Sequence, residues 1–229
     1  MKKNVFRIVL LVLLFSLLFC VGGCAVIPKS VRKDLIVGYL NDKYTDDHFE
    51  FVDYVGGKPW SDDVLPILCS SKNYPNKNIK VSYFAQEDKY YDSYYEVKYA
   101  KELDKYVSGI EKELFPGYKT NHLSFDDNTF HASMLDLPPN TTFKEYLRNS
   151  KVCLKFCCES KSYEIDKKFF EDNIDSFFKN SDLKPHSVEV YFSDNIDRDL
   201  SEVIDDTFNY LFICYDKDGE IIKEIEWRK

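Results

Sequence analysis

The sequence predicts an α+β protein in which antiparallel meander sheets carry helices on one face. Three features predict this class: short runs of alternating apolar residues, apolar stripes at helical spacing, and clusters of Gly, Pro, Asn and Asp between them. Amphipathic helices cover the apolar face of such sheets. We predict two similar small subdomains, residues 30–117 and 118–229, with a single larger α+β domain as the alternative.

The first subdomain begins with a helix from Ser30, a typical N-cap residue, to about Tyr44. Alternating strands are predicted next, at 48–55, 64–69, 79–83 and 91–97. Pro66 has no N–H to donate, so the strand at 64–69 is predicted to be an edge strand or bulged. Apolar residues then recur at spacings of three and four, which predicts a helix over about 96–115, ended by Pro116.

The second subdomain repeats this order more loosely. Thr142 and Glu145 have the spacing of a capping box and predict the start of a helix. A longer helix is predicted at 166–179 and a short one at 197–206. Strands are predicted at 121–125, 130–134, 151–158, 188–192, 208–215 and 220–227, with hairpin turns at 126–128 and 218–219.

The first 28 residues resemble the leader of bacterial lipoproteins. Lys2, Lys3 and Arg7 precede an apolar run over 8–21, which is short for a spanning helix of about 20 residues and typical of a signal peptide. Val21-Gly22-Gly23-Cys24 is similar to the lipobox of that family. The resemblance implies a signal peptide over 1–23, a lipid on Cys24, a linker over 24–29, and a protein anchored to the extracytoplasmic face of the cell membrane.

Two alternatives to this interpretation of the leader stay open. An ordinary signal peptidase would release the chain with Cys24 as a free thiol. An uncleaved leader would instead remain as an anchor, although Ala25-Val26-Ile27-Pro28 extends the apolar run only slightly.

A second resemblance concerns the first half of the chain. Tyr39-Leu40-Asn41-Asp42-Lys43-Tyr44, followed by Phe49-Glu50-Phe51-Val52, resembles uncharacterised lipoproteins of low-GC Gram-positive bacteria over about residues 35–115. Gly56-Gly57 and Tyr74-Pro75 fall where that family has a glycine-rich turn and an asparagine–proline loop. The resemblance implies a habitat and no activity, because it rests on structural residues.

The charge of the chain argues against binding to nucleic acid. Three of its 31 basic residues lie in the predicted signal peptide, which leaves 28 basic against 39 acidic residues and a net charge of −11. A surface of this sign repels nucleic acid and anionic lipid headgroups. We therefore expect the body to contact the membrane through its lipid alone.

The cysteines of the body do not show a metal-binding pattern. Cys69, Cys153, Cys157, Cys158 and Cys214 are odd in number, so at least one thiol stays unpaired in a monomer. Cys153 and Cys157 lie four residues apart on one face of a predicted strand, roughly 13 Å, which is too far for a disulfide. We interpret the five as small apolar residues, with one disulfide involving Cys214 or a metal site with His186 as alternatives.

The common catalytic and cofactor motifs do not occur. G-x-S-x-G, H-E-x-x-H, C-x-x-C and glycine-rich phosphate loops are all missing from the sequence, so no catalytic residue, metal ligand or cofactor is predicted. His122 and His131 flank a predicted turn and are interpreted as surface histidines, with a metal or acid–base pair as the alternative. The segment 216–220 resembles the opening of a calcium loop, but Trp227 occupies the position of its final glutamate, so a hairpin turn is predicted.

One aromatic cluster is a candidate interaction surface. Tyr90, Tyr91, Tyr94 and Tyr95 lie within six residues and alternate between the two faces of a predicted strand. Helices 30–44 and 96–115 cover one face only, so some of these rings are expected at the surface. Tyrosine is favoured at interfaces because it combines apolar area with a polar tip, although a solvated strand is the alternative.

These observations together predict a non-enzymatic binding or interaction module of the cell envelope. Its partners would be the membrane, through the lipid on Cys24, and an envelope protein or glycan. The alternative is an envelope hydrolase that acts on peptidoglycan or peptides through an Asp/Glu acid–base pair.

Overall fold

The computed structural model describes residues 29–55, 66–84, 87–125, 134–160, 163–197, 210–215 and 221–228, with side chains described outside 29–32, 163–167 and 221–228. In these ranges the helices are α1 (Lys29–Lys43), α2 (Tyr94–Lys98), α3 (Ala100–Leu114), α4 (Phe143–Asn149) and α5 (Tyr163–Asn180). The strands are β1 (Phe49–Tyr54), β2 (Ile67–Ser71), β3 (Asn78–Phe84), β4 (Lys89–Asp92), β5 (Thr120–His122), β6 (Cys153–Glu159), β7 (Ser187–Ser193), β8 (Tyr210–Tyr215) and β9 (Ile221–Arg228).

The strands form two sheets, which confirms the predicted α+β class. The first sheet is a four-stranded antiparallel meander in the order β1-β2-β3-β4. The second has five strands in the order β5-β6-β7-β8-β9. In the described part of the chain, no helix is long and apolar enough to cross a membrane.

The second sheet differs from the predicted antiparallel meander at one pair of strands. β6 and β7 run parallel, from the pair Cys153 and Ser187 to the pair Glu159 and Ser193. A parallel pair needs a crossover of a dozen or more residues, and α5 supplies it between these two strands. β6, α5 and β7 were all predicted, but the sequence did not predict that the two strands run parallel.

The predicted strand over 91–97 is wrong beyond Asp92. The chain leaves β4 there and enters α2 at Tyr94, because the buried Asp92 carboxylate accepts the Tyr94 N–H at 3.0 Å. Ser93 is also hydrogen-bonded to β3. Its N–H donates to the Lys80 carbonyl at 3.0 Å, and its hydroxyl accepts the Lys80 N–H at 2.9 Å. These bonds end the strand and start the helix two residues earlier than the apolar spacing indicates.

The strand next to Pro66 lies inside the first sheet and is not an edge strand. The irregularity in its pairing with β1 lies on the β1 side, between Phe51 and Asp53. β2 begins at Ile67 and pairs with both β1 and β3. Pro66 precedes the first paired residue, so its missing N–H removes no hydrogen bond from the sheet. Its carbonyl still accepts the Val55 N–H at 2.8 Å.

The core of the protein is one continuous cluster of apolar side chains from both sheets and the helices that cover them. Residues 36–229 form one compact unit. Phe170 of α5 illustrates the packing, since its buried ring lies 5.8 Å from Phe115, 5.1 Å from Tyr118 and 5.0 Å from Phe192. The predicted boundary near residue 117 falls between the two sheets, in the segment that joins α3 to β5.

A second, smaller cluster lies on the other face of the second sheet. It consists of Cys157, Tyr191 and Ile196, with Tyr210 packed against it. Cys157 alternates with the core residues Phe156 and Cys158 along β6, so it points to this face. The part of β6 around Cys157 is therefore buried from both sides.

Candidate functional site

An open groove of about 770 Å³ lies between α3, the start of α4 and the end of α5. Its walls combine aromatic and acidic side chains. They are Glu102, Lys105, Tyr106, Gly109, Ile110, Glu113, Phe143, Phe177, Asn180, Ser181 and Asp182. Six of these residues lie on one stripe of α3, where residues three and four apart share a face.

The floor of the groove is apolar. Tyr106, Phe143 and Phe177 are half-buried there, beside the buried Ile110. The Phe143 ring packs edge-on to Tyr106, with centroids 6.3 Å apart. Half-buried aromatic rings in a concave surface leave apolar area that a ligand can cover.

The capping box fixes the position of Phe143 in this floor. Thr142 accepts the Glu145 N–H at 3.4 Å, and the Glu145 carboxylate accepts the Thr142 N–H at 2.8 Å. This confirms the predicted capping box. Phe143 is the first residue of α4, and its ring also packs 5.4 Å from the Tyr99 ring.

The rim of the groove is acidic. Glu102 and Glu113 are exposed, and neither forms an ion pair with any residue that the structure describes. Asp182 on the opposite side is paired with Arg148 at 3.4 Å. Lys105 is the single cation among the described lining residues. The rim therefore has a negative balance and two carboxylates that are open to a ligand.

Gly109 lies in the groove wall, and no neighbouring atom of the described residues requires a residue without a side chain at this position. A Cβ built at this position would meet no atom within 4 Å. Glycine inside a helix costs roughly 0.5–1 kcal/mol relative to alanine. The small residue leaves room for a ligand to approach the backbone of α3.

A second polar cluster surrounds His122 at the end of β5. Its ring nitrogen Nδ1 lies 2.8 Å from Glu111 Oε2, and Nε2 lies 3.3 Å from Asp104 Oδ1. His122 and Glu111 side chains are each 10% exposed. Burial lowers the pKa of His122, but the hydrogen bond to Glu111 and the charges of Glu111 and Asp104 raise it more, so the pKa lies above 6.5. Because both nitrogens are occupied, the ring joins α3 to β5 and offers neither nitrogen to a substrate.

This cluster predicts that stability depends on pH. The folded-state pKa of His122 exceeds its unfolded value, so the stabilisation is complete below the unfolded pKa and is lost as pH rises through the folded pKa. At about pH 6 we expect His122→Asn to cost about 1.5–3 kcal/mol, the range for hydrogen bonds between charged groups. Urea unfolding of both proteins should show a difference that shrinks as the pH rises through the folded-state pKa of His122. A difference that stays constant would contradict a protonated His122.

A third cluster, around Asp92, is structural. The Asp92 side chain is 1% exposed and accepts hydrogen bonds from Tyr39, Tyr44 and Lys43 at 2.9, 2.9 and 3.0 Å. Burial is the main cause that raises the pKa values of Tyr39 and Tyr44, and the negative charge of Asp92 is the next largest cause. Both hydroxyls therefore stay neutral and act as donors. All four acceptor positions of the carboxylate are filled, since the Tyr94 N–H takes the fourth.

The structure separates the four tyrosines of the predicted interaction surface. Tyr94 and Tyr95 are each 3% exposed and belong to the core, so the prediction that they continue the strand is wrong, and neither supplies an exposed ring. They lie in α2, where Tyr94 stacks on Tyr44 with centroids 3.9 Å apart. Tyr90 and Tyr91 are half-buried on β4, and Tyr90 stacks on Tyr39 at 4.5 Å. A role for Tyr90 and Tyr91 in binding stays a prediction.

The five body cysteines are described and none of them forms a disulfide in the structure. The cross-strand neighbour of Cys214 is Ser187, whose neighbour on the other side is Cys153. Cys153 and Cys214 are thus two strands apart, about 9.5 Å, which is beyond disulfide geometry. Burial raises the pKa values of the Cys69 and Cys157 thiols to about 12.

No group of three His, Cys, Asp or Glu residues in the described ranges can hold a metal ion. Around His122 the two carboxylates lie on opposite sides of the ring, so their oxygens do not converge on one point with a ring nitrogen. Cys24, His131 and the predicted turn at 216–220 lie outside the described residues. The pairing of β8 with β9 is antiparallel, as predicted for the strands that flank that turn.

The residues of the groove were not predicted as a site. The helical stripe of α3 predicts Tyr106 and Ile110 as inward-facing, and the spacing in α5 predicts the same for Phe177. The sequence contained no signal that α4 and α5 would leave these side chains partly uncovered, since that depends on how three distant segments pack.

Comparison with known proteins gives no assignment. No family model matches the chain, and no curated protein sequence matches it. Among solved structures, a crystal structure of a DUF5037 family protein from Ruminococcus gnavus is similar, with a TM-score of 0.36 and 15% sequence identity. The match covers 84% of this chain and 95% of that one. The groove is accordingly interpreted from its own residues.

Proposed function

We propose that this protein is a lipid-anchored, non-enzymatic binding module of the cell envelope, and that the groove along α3 is its binding surface. The observation that carries the proposal is an open concave surface with a half-buried aromatic floor and, at its rim, two carboxylates that form no ion pair with a described residue. Aromatic rings supply contact area, and the few polar groups around them supply orientation.

The cellular address rests on the leader sequence. Val21-Gly22-Gly23-Cys24 is similar to a lipobox. It follows the apolar run over 8–21, which in turn follows the basic residues Lys2, Lys3 and Arg7. A lipid on Cys24 would hold the groove outside the cytoplasm, where its partners are envelope proteins or glycans.

The arrangement of the acidic residues favours binding over hydrolysis. Glu102 and Glu113 are eleven residues apart on one helix, about 16 Å at 1.5 Å per residue. Carboxylate pairs that cleave glycosides lie about 5–9.5 Å apart. The carboxylates of Glu102 and Glu113 are therefore placed to hold two ends of a ligand and not to act on one bond.

Photo-crosslinking in native membranes tests the proposal. We expect benzoylphenylalanine in place of Lys105, at the groove rim, to form a covalent adduct that intact-protein mass spectrometry detects. Lys168 is the matched control, because it is exposed on α5 and lies outside the groove. It is nine residues from Phe177, which places it on the opposite face of the helix. Adducts in equal amount from both positions, or none from position 105 in a folded protein, would contradict binding at the groove.

A further inference from the structure

We infer that the groove binds an extended peptide segment in which two basic residues flank apolar ones. This inference rests on the proposed function and names the class of ligand for the same site. Three properties of the groove carry it: its length, its charge and its floor.

The length of the groove matches a short stretch of extended chain. Glu102 and Glu113 are separated by close to three turns of helix, so they project in nearly the same direction. The span of about 16 Å corresponds to about five residues of extended peptide at 3.3 Å each. Side chains four positions apart lie on one side of an extended chain and about 13 Å apart. The long stems of lysine or arginine cover the remaining distance, so two such residues reach both carboxylates at once.

The charge of the groove selects cations. Three acidic side chains and one lysine line it, and Asp182 already holds the guanidinium of Arg148. Glu102 and Glu113 lack such a partner among the described residues, so a lysine or arginine of the ligand can occupy each. The net charge of −8 for the whole chain also attracts cationic ligands at long range.

The floor of the groove suits the apolar residues between those two charges. Tyr106, Phe143 and Phe177 present ring surface to side chains above them. Aromatic faces also attract ammonium and guanidinium groups, whose methylene stems lie along apolar surface. The Tyr106 hydroxyl makes no hydrogen bond to a described residue, so it can bond to the backbone of an extended peptide.

Titration calorimetry on the full chain in neutral detergent tests the inference. The probe is a synthetic peptide with two lysines that flank three apolar residues, and its matched control carries glutamates in place of the lysines. We expect the lysine peptide to bind, the glutamate peptide to bind at least about tenfold more weakly, and added salt to weaken the lysine peptide.

Variants of the protein locate the binding. We expect the double variant Glu102→Gln/Glu113→Gln to lose about tenfold in affinity, and Gly109→Trp to abolish binding by filling the groove. Asp42→Asn/Asp172→Asn removes two exposed helical carboxylates outside the groove, and Gly38→Trp adds the same bulk to α1, where a Cβ also meets nothing within 4 Å. Both controls should bind within about twofold of wild type, and circular dichroism melts should show every variant folded.

Three outcomes would overturn the inference. The first is equal binding of the two peptides, and the second is no binding of either peptide. The third is binding that survives both groove variants. If crosslinking at position 105 still traps a ligand in membranes, the groove is a binding surface for a different class of ligand. If crosslinking fails there as well, the proposed function itself is wrong.

Discussion

Asp92→Ala is expected to lower the free energy of unfolding by about 3–5 kcal/mol, the cost of removing one partner from a buried ion pair. The Lys43 side chain is 10% exposed, and its ammonium lies 3.0 Å from the carboxylate. Without that carboxylate, the two tyrosine hydroxyls lose their acceptor, and the ammonium keeps only the Tyr39 hydroxyl at 2.6 Å and the exposed Asp136 at 3.4 Å. A buried donor without a partner costs more than the bond it made.

The same substitution also loosens the backbone around β4. Asp92 exchanges two backbone hydrogen bonds with Leu135, at 3.2 and 2.9 Å, and its side chain holds the first N–H of α2. The network therefore ties α1, β4, α2 and the segment at 135 together. We expect the unfolding transition to stay cooperative but to move to lower denaturant concentration.

Asp136→Ala is the matched control. Asp136 contacts the same ammonium at 3.4 Å, but its side chain is 43% exposed. Exposed ion pairs contribute about 0.2–1 kcal/mol, so this change should be small. Urea unfolding of the three proteins measures both effects. If the two variants lose similar amounts of stability, Asp92 does not have the structural role that its contacts indicate.

Cys24→Ala is expected to abolish retention of the protein in membranes or to leave an unprocessed precursor there. Under the proposed function, the thiol of Cys24 carries the lipid and the cleavage site precedes it. Alanine has no thiol to alkylate, so no anchor forms and the signal peptidase that needs the lipid does not cut.

Membrane fractionation with intact mass spectrometry measures this outcome. Cys69→Ala is the control, because Cys69 is a buried core residue and its loss affects stability without touching the anchor. Labelling with a fatty-acid analogue should mark the wild type and Cys69→Ala and not Cys24→Ala. A correctly cleaved Cys24→Ala protein that stays in the membrane would refute the lipid anchor.

Local patterns predicted much of the fold. α1 begins and ends within one residue of the predicted helix at 30–44, because its apolar stripe lies within the segment itself. Ser30 is the second residue of this helix, so its prediction as the N-cap was wrong. The capping box of α4 was predicted from two residues three apart. The strand at β6 was predicted from alternation, which also assigned Cys157 and Cys158 to opposite faces.

The failures share one cause, since each depended on partners distant in the chain. Helix α2 begins at Tyr94 because the carboxylate of Asp92 is buried by Tyr39 of α1 and by Tyr44 just after α1, which lie about fifty positions away. When only the neighbouring residues are considered, an aspartate after two tyrosines predicts a strand with one face exposed to solvent. The same burial moved Tyr94 and Tyr95 from a predicted surface into the core.

The sequence by itself determined the α+β class, the order of most elements and the acidic character of the surface, because periodicity, caps and charge are properties of neighbouring residues. Only the tertiary structure decided that β6 and β7 run parallel, that His122 lies between two carboxylates, and that a groove opens along α3. Those features arise where segments far apart in the chain meet. Their energies depend on burial and on distances between partners, which no local pattern encodes.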